Sequence, residues 1–119
     1  MPRSPIPILA AILAFSAGAL ALQAETTDST ADPLAAPATQ AYMAANHKMY
    51  AQMSIEYTGK ADVDFVRGMI PHHQGAVEMA HIVLEHGTDP EVKKLAEGII
   101  SAQESEIAWM QEWLSRNGG

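Results

Sequence analysis

Three stretches with helical periodicity, joined by two short turns, account for most of the chain. Residues 39–57 contain no proline or glycine, and their apolar side chains recur at helical spacing. A second helix is expected over residues 62–86, with Asp62 as its cap. A third is expected over residues 90–116, begun either by Asp89 as cap with Pro90 at the first helical position, or by Thr88 and Glu91 as a capping box. This succession favours a helical fold.

The predicted fold class is all-α, an antiparallel helical bundle with about three main helices per chain. No stretch of alternating β-branched residues is bounded by hairpin turns, so strands are not expected. Short connections place successive helices side by side. Because three helices over about 80 residues bury a small core, a homodimer that completes a larger bundle is a reasonable expectation.

The third helix is expected to be an amphipathic packing helix. Its apolar residues fall on one stripe, while most of its lysines and glutamates lie elsewhere, so we expect the stripe to face the other helices. The stripe contains Leu95, Ile99, Ala102, Glu106, Trp109 or Met110, and Trp113.

Pro71 lies inside the second predicted helix, where it removes a backbone donor and crowds the carbonyl of Arg67. A kink or a break is therefore expected at this position. Gly68 and Gly75 flank it and weaken the helix propensity further. Such a departure from local rules indicates either a functional site or a close crossing with another helix, and the sequence leaves both open.

Residues 1–24 have the order of a secretory signal peptide. Arg3 precedes a mostly apolar run over residues 6–22, and cleavage is expected near Ala24, with Ala21 as the alternative. An uncleaved membrane anchor is the competing interpretation, although the run is at the short end of what spans a bilayer. We therefore expect a periplasmic or secreted protein with no membrane contact after cleavage.

The composition restricts both partners and cofactors. With 14 Asp and Glu against 7 Lys and Arg, the formal charge is −7, which argues against nucleic acid because that partner requires a basic patch. The chain has no Cys, which removes thiolate nucleophiles, cysteine-based zinc sites, iron–sulfur clusters and disulfides. Any bound metal must be held by His, Met, Asp or Glu.

Methionine and histidine are concentrated in the middle of the chain. From Met43 to His81, a span of 39 residues contains five Met and four His. Thioether sulfur favours Cu(I) and imidazole accepts copper in either oxidation state, so the mixture selects copper over Mg, Ca or Mn. In an oxidising compartment, methionine is the suitable soft ligand. Copper is therefore the predicted cofactor, with Cu(I) favoured over Cu(II).

Helical spacing groups these side chains. Met69 and His73 share a face and can contribute to one ion, whereas His72 diverges from His73 by about 100° and serves another side of the site or a second site. Met79 lies on the stripe of His72, but about 10.5 Å further along. One helix cannot complete a copper site, so the remaining ligands must come from a facing helix or a second subunit. Two further pairs on the first helix are Met49 with Met53 and Met43 with His47.

Residues 62–80, with Met-Ile-Pro-His-His-Gln at 69–74 as their core, resemble the domain of unknown function 305 family, whose copper-handling members include CopM-type periplasmic proteins. The resemblance extends upstream to residues 47–53 and downstream to residues 95–114, about 75 residues in all. It implies a ferritin-like or four-helix-bundle fold in the periplasm or cell exterior, with Met and His as ligands.

The same resemblance implies a set of metal ligands on the first two helices, with Gln103 and Met110 as neighbours. Tyr50 stands where some relatives extend the methionine cluster, which leaves the number of ions open. Residues 25–38 then form a flexible leader, and residues 39–117 form the helical metal-binding domain. The implied ligands are His47, Met49, Met53, Met69, His72, His73 and Met79.

Three functions compete. The first is a non-enzymatic copper-binding protein that sequesters copper or exchanges it with a periplasmic donor or acceptor protein. The second is a helical interaction module in which Met and His are core residues and Trp109 and Trp113 face a partner. The third, a ferritin-like di-iron enzyme, is prompted by Glu78 and His81 at Glu-x-x-His spacing, although a second such motif is missing and no catalytic constellation is complete.

Overall fold

The computed structural model describes residues 31–118, and this part of the chain contains three helices and no strand. The all-α fold class, the antiparallel bundle and the number of main helices are therefore confirmed. A 3-10 turn at Pro33–Ala35 precedes the first helix. The helices are α1 (Pro37–Met53), α2 (Ala61–His86) and α3 (Pro90–Asn117).

The helix ends differ from the expected ones mainly in α1. This helix begins two residues before the predicted start, with Pro37 in its first turn, and ends at Met53, four residues before Tyr57. The predicted signal peptide, residues 1–24, lies outside the described residues. The last part of the predicted leader, by contrast, contains the 3-10 turn and the start of α1.

The predicted cap of α3 is confirmed, and that of α2 is wrong. The side chain of Asp89 accepts hydrogen bonds from the backbone N–H groups of Glu91 and Val92 at 2.8 and 3.0 Å. At the start of α2 the cap position is occupied by Lys60, which makes no side-chain capping bond, and Asp62 lies inside the first turn. Asp62 there still complements the positive end of the helix dipole.

A different carboxylate, that of Asp64, fastens the connection between α1 and α2. Its Oδ1 accepts from the backbone N–H and the hydroxyl of Thr58, both at 2.8 Å, and its Oδ2 accepts from the N–H of Gly59 at 3.1 Å. These bonds, the one from the Thr58 N–H first, hold the pKa of Asp64 below its ordinary value because they favour the charged form. Gly59 has a φ of 81°, which a residue with a Cβ rarely adopts.

The central helix of the bundle is α2, which packs against both α1 and α3. The pairing is antiparallel on both sides. Lys48 of α1 and Ile55, just after the end of α1, lie opposite Glu78 and Gly68 of α2, in reverse order along the chain. The start of α2 likewise lies beside the end of α3, and the end of α2 beside the start of α3. No Cα atom of α1 lies within 8 Å of one in α3. The space between them is an apolar groove of about 520 Å³. Its lining comes from all three helices and includes Tyr42, Met79 and Leu95.

The packing face of α3 is rotated by about one residue from the predicted stripe. Ala96 and Met110 are the buried side chains of this helix, whereas Leu95 remains 63% exposed and Ala102 is exposed as well. The stripe was thus only partly right. The reason is that α2 alone covers α3, so the side of α3 that would meet α1 in a closed bundle, including Leu95, faces the groove.

Pro71 does not break α2, which continues as one helix from Ala61 to His86. Pro71 itself is buried. Four residues later, at Gly75, α2 passes close to α1, because a Cβ built on Gly75 would lie 2.9 Å from Met49 Cγ. Close helix crossing, the second of the two interpretations, therefore accounts for Gly75.

None of the helices in residues 31–118 combines the length and the apolar character that crossing a membrane requires.

Candidate metal site

A pocket of about 280 Å³ lies between α2 and α3, near the start of α2 and the end of α3. It contains two of the predicted ligands together with one of their predicted neighbours. The lining residues are Phe65, Val66, Met69 and His73 from α2, and Glu106, Trp109 and Met110 from α3.

Helix geometry explains why these side chains converge. Met69 and His73 are one turn apart on the face of α2 that packs on α3, and Glu106 and Met110 are one turn apart on the facing side of α3. Met110 is only 5% exposed, so it belongs to the floor of the pocket. Of the two predicted sources of further ligands, a facing helix or a second subunit, the first corresponds to α3, which places Glu106 and Met110 beside Met69 and His73.

The ring of His73 is oriented by the carboxylate of Glu106. His73 Nε2 and Glu106 Oε2 are 2.6 Å apart, and the His73 side chain is only 15% exposed. An ionised carboxylate can only accept, so Nε2 carries the proton in this bond and, in the neutral ring, Nδ1 has the free lone pair. Nδ1 is buried and has no hydrogen-bond partner.

A second buried polar atom without a hydrogen-bond partner is Oε1 of Gln103, on α3 one turn before Glu106 on the neighbouring face. Buried polar atoms are normally satisfied, and exceptions often mark a ligand site. Within the described residues, the two buried side-chain polar atoms that lack a partner are thus those of His73 and Gln103, both on the α2–α3 side of the molecule.

The donors in this pocket suit a soft, low-charge metal ion. Met69 and Met110 offer thioether sulfur and His73 offers an imidazole nitrogen, and neither type carries a negative charge. Glu106 would stand behind His73 as a carboxylate partner, the arrangement that commonly orients metal-binding histidines. These residues therefore fit a copper ion in their chemistry.

His72 and Met79 point away from the pocket. The rings of His72 and His73 have centroids 6.2 Å apart and planes inclined by 57°, and His72 is exposed. His73 lines the pocket and His72 does not. Met79 lies two turns along α2 and lines the apolar groove instead of the α2–α3 pocket.

The predicted ligands on α1 also do not line the pocket. Met49 packs against Gly75 in the interface of α1 and α2, with its sulfur closest to the position a Cβ would occupy. Met53 is half-buried in the last turn of α1, and His47 is exposed. The structure thus distributes the seven predicted ligands over several surfaces and brings Met69 and His73 together.

Glu106 is the residue that the sequence interpretation missed as part of the site. The sequence places it on the packing stripe of the third helix. A carboxylate on an otherwise apolar stripe was the available signal, because burial disfavours such a group unless it has a partner. Its partner, His73, is 33 residues away in the sequence, which explains why spacing on one helix did not reveal it.

The di-iron motif lies away from the α2–α3 pocket. Glu78 and the exposed His81 line one shallow hollow on the α1–α2 side, where Glu78 forms an ion pair with Lys48 of α1 at 3.0 Å. Among residues 31–118, no three side chains of His, Asp and Glu are grouped so that they could hold a metal ion. Trp109 and Trp113 are also not a matched exposed pair, since Trp113 is half-buried.

Comparison with known proteins gives a family and one curated relative. Residues 62–119, which span α2 and α3, match the family described as Domain of unknown function (DUF305). The chain is also similar to "Uncharacterized protein L153" of Acanthamoeba polyphaga mimivirus, with 40% identity over 53 residues, 44% of this chain and 35% of that protein. The chain thus spans about a third of the length of this relative.

Proposed function

This chain belongs to the DUF305 family through residues 62–119, and we propose that it is an exported copper-binding protein that holds Cu(I) between α2 and α3. The observation that carries the proposal is the convergence of Met69, His73 and Met110 on one pocket. Two thioethers and one imidazole are a donor set that prefers Cu(I) to harder cations.

The surroundings of the pocket support sequestration or transfer of copper without turnover. Phe65 and Trp109 line the pocket and remain largely exposed, so its rim is open to solvent and to another protein. A site that is open on one side allows ligands to be exchanged. Protection of the cell envelope from copper is therefore the proposed role, with a periplasmic copper donor or acceptor protein as partner.

The exposed donors outside the pocket have a secondary role in the proposal. His72 and Met79 lie on the exposed side of α2, and His47 lies on the exposed side of α1. We propose that they bind copper weakly, or relay it, because isolated surface donors do not complete a coordination shell. The number of tightly bound ions per chain is accordingly one.

Anaerobic titration of the purified protein with Cu(I) against a chromophoric competitor tests the proposal. The expected result is one tightly held ion per chain, with strong preference over Zn(II), and a large loss of affinity in Met69→Leu. Circular dichroism of the same samples would show whether the variant keeps its helices. Failure of the wild-type protein to compete for Cu(I) would refute copper binding and favour the interaction module.

A further inference from the structure

The two aromatic side chains at the rim of the α2–α3 pocket have unusual exposure for their size. Phe65 of α2 is 66% exposed and Trp109 of α3 is 57% exposed, yet both line the pocket that contains Met69 and His73. The floor residues Val66 and Met110 are buried. The indole is therefore a solvent-exposed part of the same pocket lining that contains the donors.

From this placement we infer that Trp109 covers the bound metal ion with its indole face and thereby favours Cu(I); the inference rests on the proposed function of the pocket. Met69, Met110 and His73 are uncharged donors, so a bound Cu(I) keeps its positive charge. A cation within about 6 Å of an aromatic ring is attracted by the ring quadrupole, most strongly by that of Trp.

The indole also supplies what the three donors lack. Cu(I) is stabilised by low coordination and by an apolar shell that excludes water, whereas Cu(II) prefers additional nitrogen or oxygen ligands. An indole beside the ion occupies part of the open side with a group that offers no such ligand, and the rest of the rim remains open to a partner. Trp109 is thus a specificity-determining residue for the oxidation state, and Met69, His73 and Met110 are the ligands.

The chain offers a matched spectroscopic control, because Trp109 and Trp113 are its two tryptophans. Trp113 is one turn further along α3, is half-buried and does not line the pocket. Trp113→Phe leaves Trp109 as the only indole, and Trp109→Phe leaves Trp113. Emission from each protein can then be followed during the same anaerobic Cu(I) titration in which the chromophoric competitor reports binding.

We expect Cu(I) to change the emission of the Trp113→Phe protein in step with the binding reported by the competitor, and to leave the Trp109→Phe protein nearly unchanged. In Trp109→Leu, the affinity for Cu(I) should fall by about 5- to 30-fold. Bound Cu(I) should also oxidise faster in air, as shown by the appearance of the Cu(II) electron paramagnetic resonance signal. Trp109→Phe, which keeps an aromatic ring, should show a smaller loss of Cu(I) affinity and a smaller increase in the rate of oxidation than Trp109→Leu.

The outcomes separate the two proposals. Wild-type affinity and oxidation rate in Trp109→Leu, with no change in Trp109 emission during binding, would overturn the role of Trp109 and leave the copper site standing. Absence of Cu(I) binding in the wild-type and Trp113→Phe proteins would refute the copper site and the role of Trp109 together. Loss of helicity in Trp109→Leu would be detected by circular dichroism, and the emission of Trp113→Phe then decides.

Discussion

The two sides of α2 use similar side chains for different purposes. Toward α1, Met49 packs over Gly75, so its sulfur serves as a core packing group. Lys48 forms an ion pair with Glu78 on the same side. Toward α3, Met69 and His73 face a pocket of about 280 Å³ that also contains Glu106. Both sides present methionine and histidine at helical spacing in the sequence.

The two sides differ in the residues that face each methionine, Met49 on one side and Met69 on the other. A glycine on the facing helix lets a thioether settle into van der Waals contact, where methionine serves as an adaptable core residue. On the α3 side, a second methionine, a histidine and a carboxylate line one pocket together with Met69. A ligand pattern on one helix therefore acquires meaning only from the helix that faces it.

The largest expected effect is the loss of Cu(I) affinity when two donors are removed from the α2–α3 pocket, compared with removal of the same residue types from α1. Met69→Leu combined with His73→Ala removes two of the three proposed donors, so the affinity for Cu(I) should fall at least about 100-fold. The matched double variant, His47→Ala with Met49→Leu, removes the same residue types from α1 and should change the affinity less than about threefold. Equal losses in both variants would show that the α1 side shares the site.

A smaller loss of Cu(I) affinity is expected when Glu106 of α3 is replaced. Glu106→Gln weakens the partner that orients the His73 ring, and loss of such a partner commonly costs about 10- to 100-fold in metal affinity, so we expect about tenfold. Glu104→Gln changes an exposed neighbour on the same helix and removes the same charge. In competition titrations, Glu106→Gln should therefore lose more affinity for Cu(I) than Glu104→Gln. A similar decrease in both would indicate general electrostatics instead of orientation of the ring.

A stability measurement tests the other side of α2. Gly75→Ala should lower the free energy of unfolding by about 1 kcal/mol, because strain of about 1–3 kcal/mol against Met49 exceeds the gain of about 1 kcal/mol in helix propensity. Gly98→Ala on α3 meets no atom within 4 Å and should raise stability by about 0.5–1 kcal/mol. Denaturant unfolding of both variants checks the contrast, which stabilisation by Gly75→Ala would contradict.

The smallest effect on stability is expected at the connection between α1 and α2, where Asp64 accepts hydrogen bonds from Thr58 and Gly59. The pKa of Asp64 is lowered in the folded protein, so its contribution to stability is present above the unfolded pKa of about 3.9 and is lost as the pH falls through the folded pKa. Asp64→Asn should therefore lower the melting temperature at pH 7, with a difference that shrinks below about pH 4. Asp62→Asn, which removes a carboxylate without such bonds, should show less of this pH dependence.

The sequence predicted those parts of the fold that depend on local signals. Asp89 followed by Pro90 marked the start of α3 because capping is a contact between neighbours in the chain. Asp62 was wrong as a cap because Asp64, two residues later, reaches back to Thr58 and Gly59. A choice between two nearby carboxylates is decided by loop geometry, which propensity does not contain.

The candidate site was predictable only on the helix that carries the motif. Met69 and His73 followed from their spacing, but Glu106 and the buried position of Met110 depend on how α3 is rotated against α2. That rotation placed Ala96 inward and Leu95 outward, the reverse of what their hydrophobicity predicts. It arises because α1 and α3 do not close over each other, a property of the whole arrangement.

The attachment of α1 to a single neighbour has a consequence for how the molecule opens. Among the helices of residues 31–118, α1 has Cα atoms within 8 Å of α2 but none within 8 Å of α3, so we expect it to detach as one cooperative unit while the α2–α3 hairpin stays paired. Amide hydrogens of α1 should then exchange with solvent through a sub-global opening of lower free energy than those of α2 and α3. Such an opening would free Met49 from Gly75 without disturbing the pair of His73 and Glu106, so α1 could respond to a partner while the α2–α3 pocket persists.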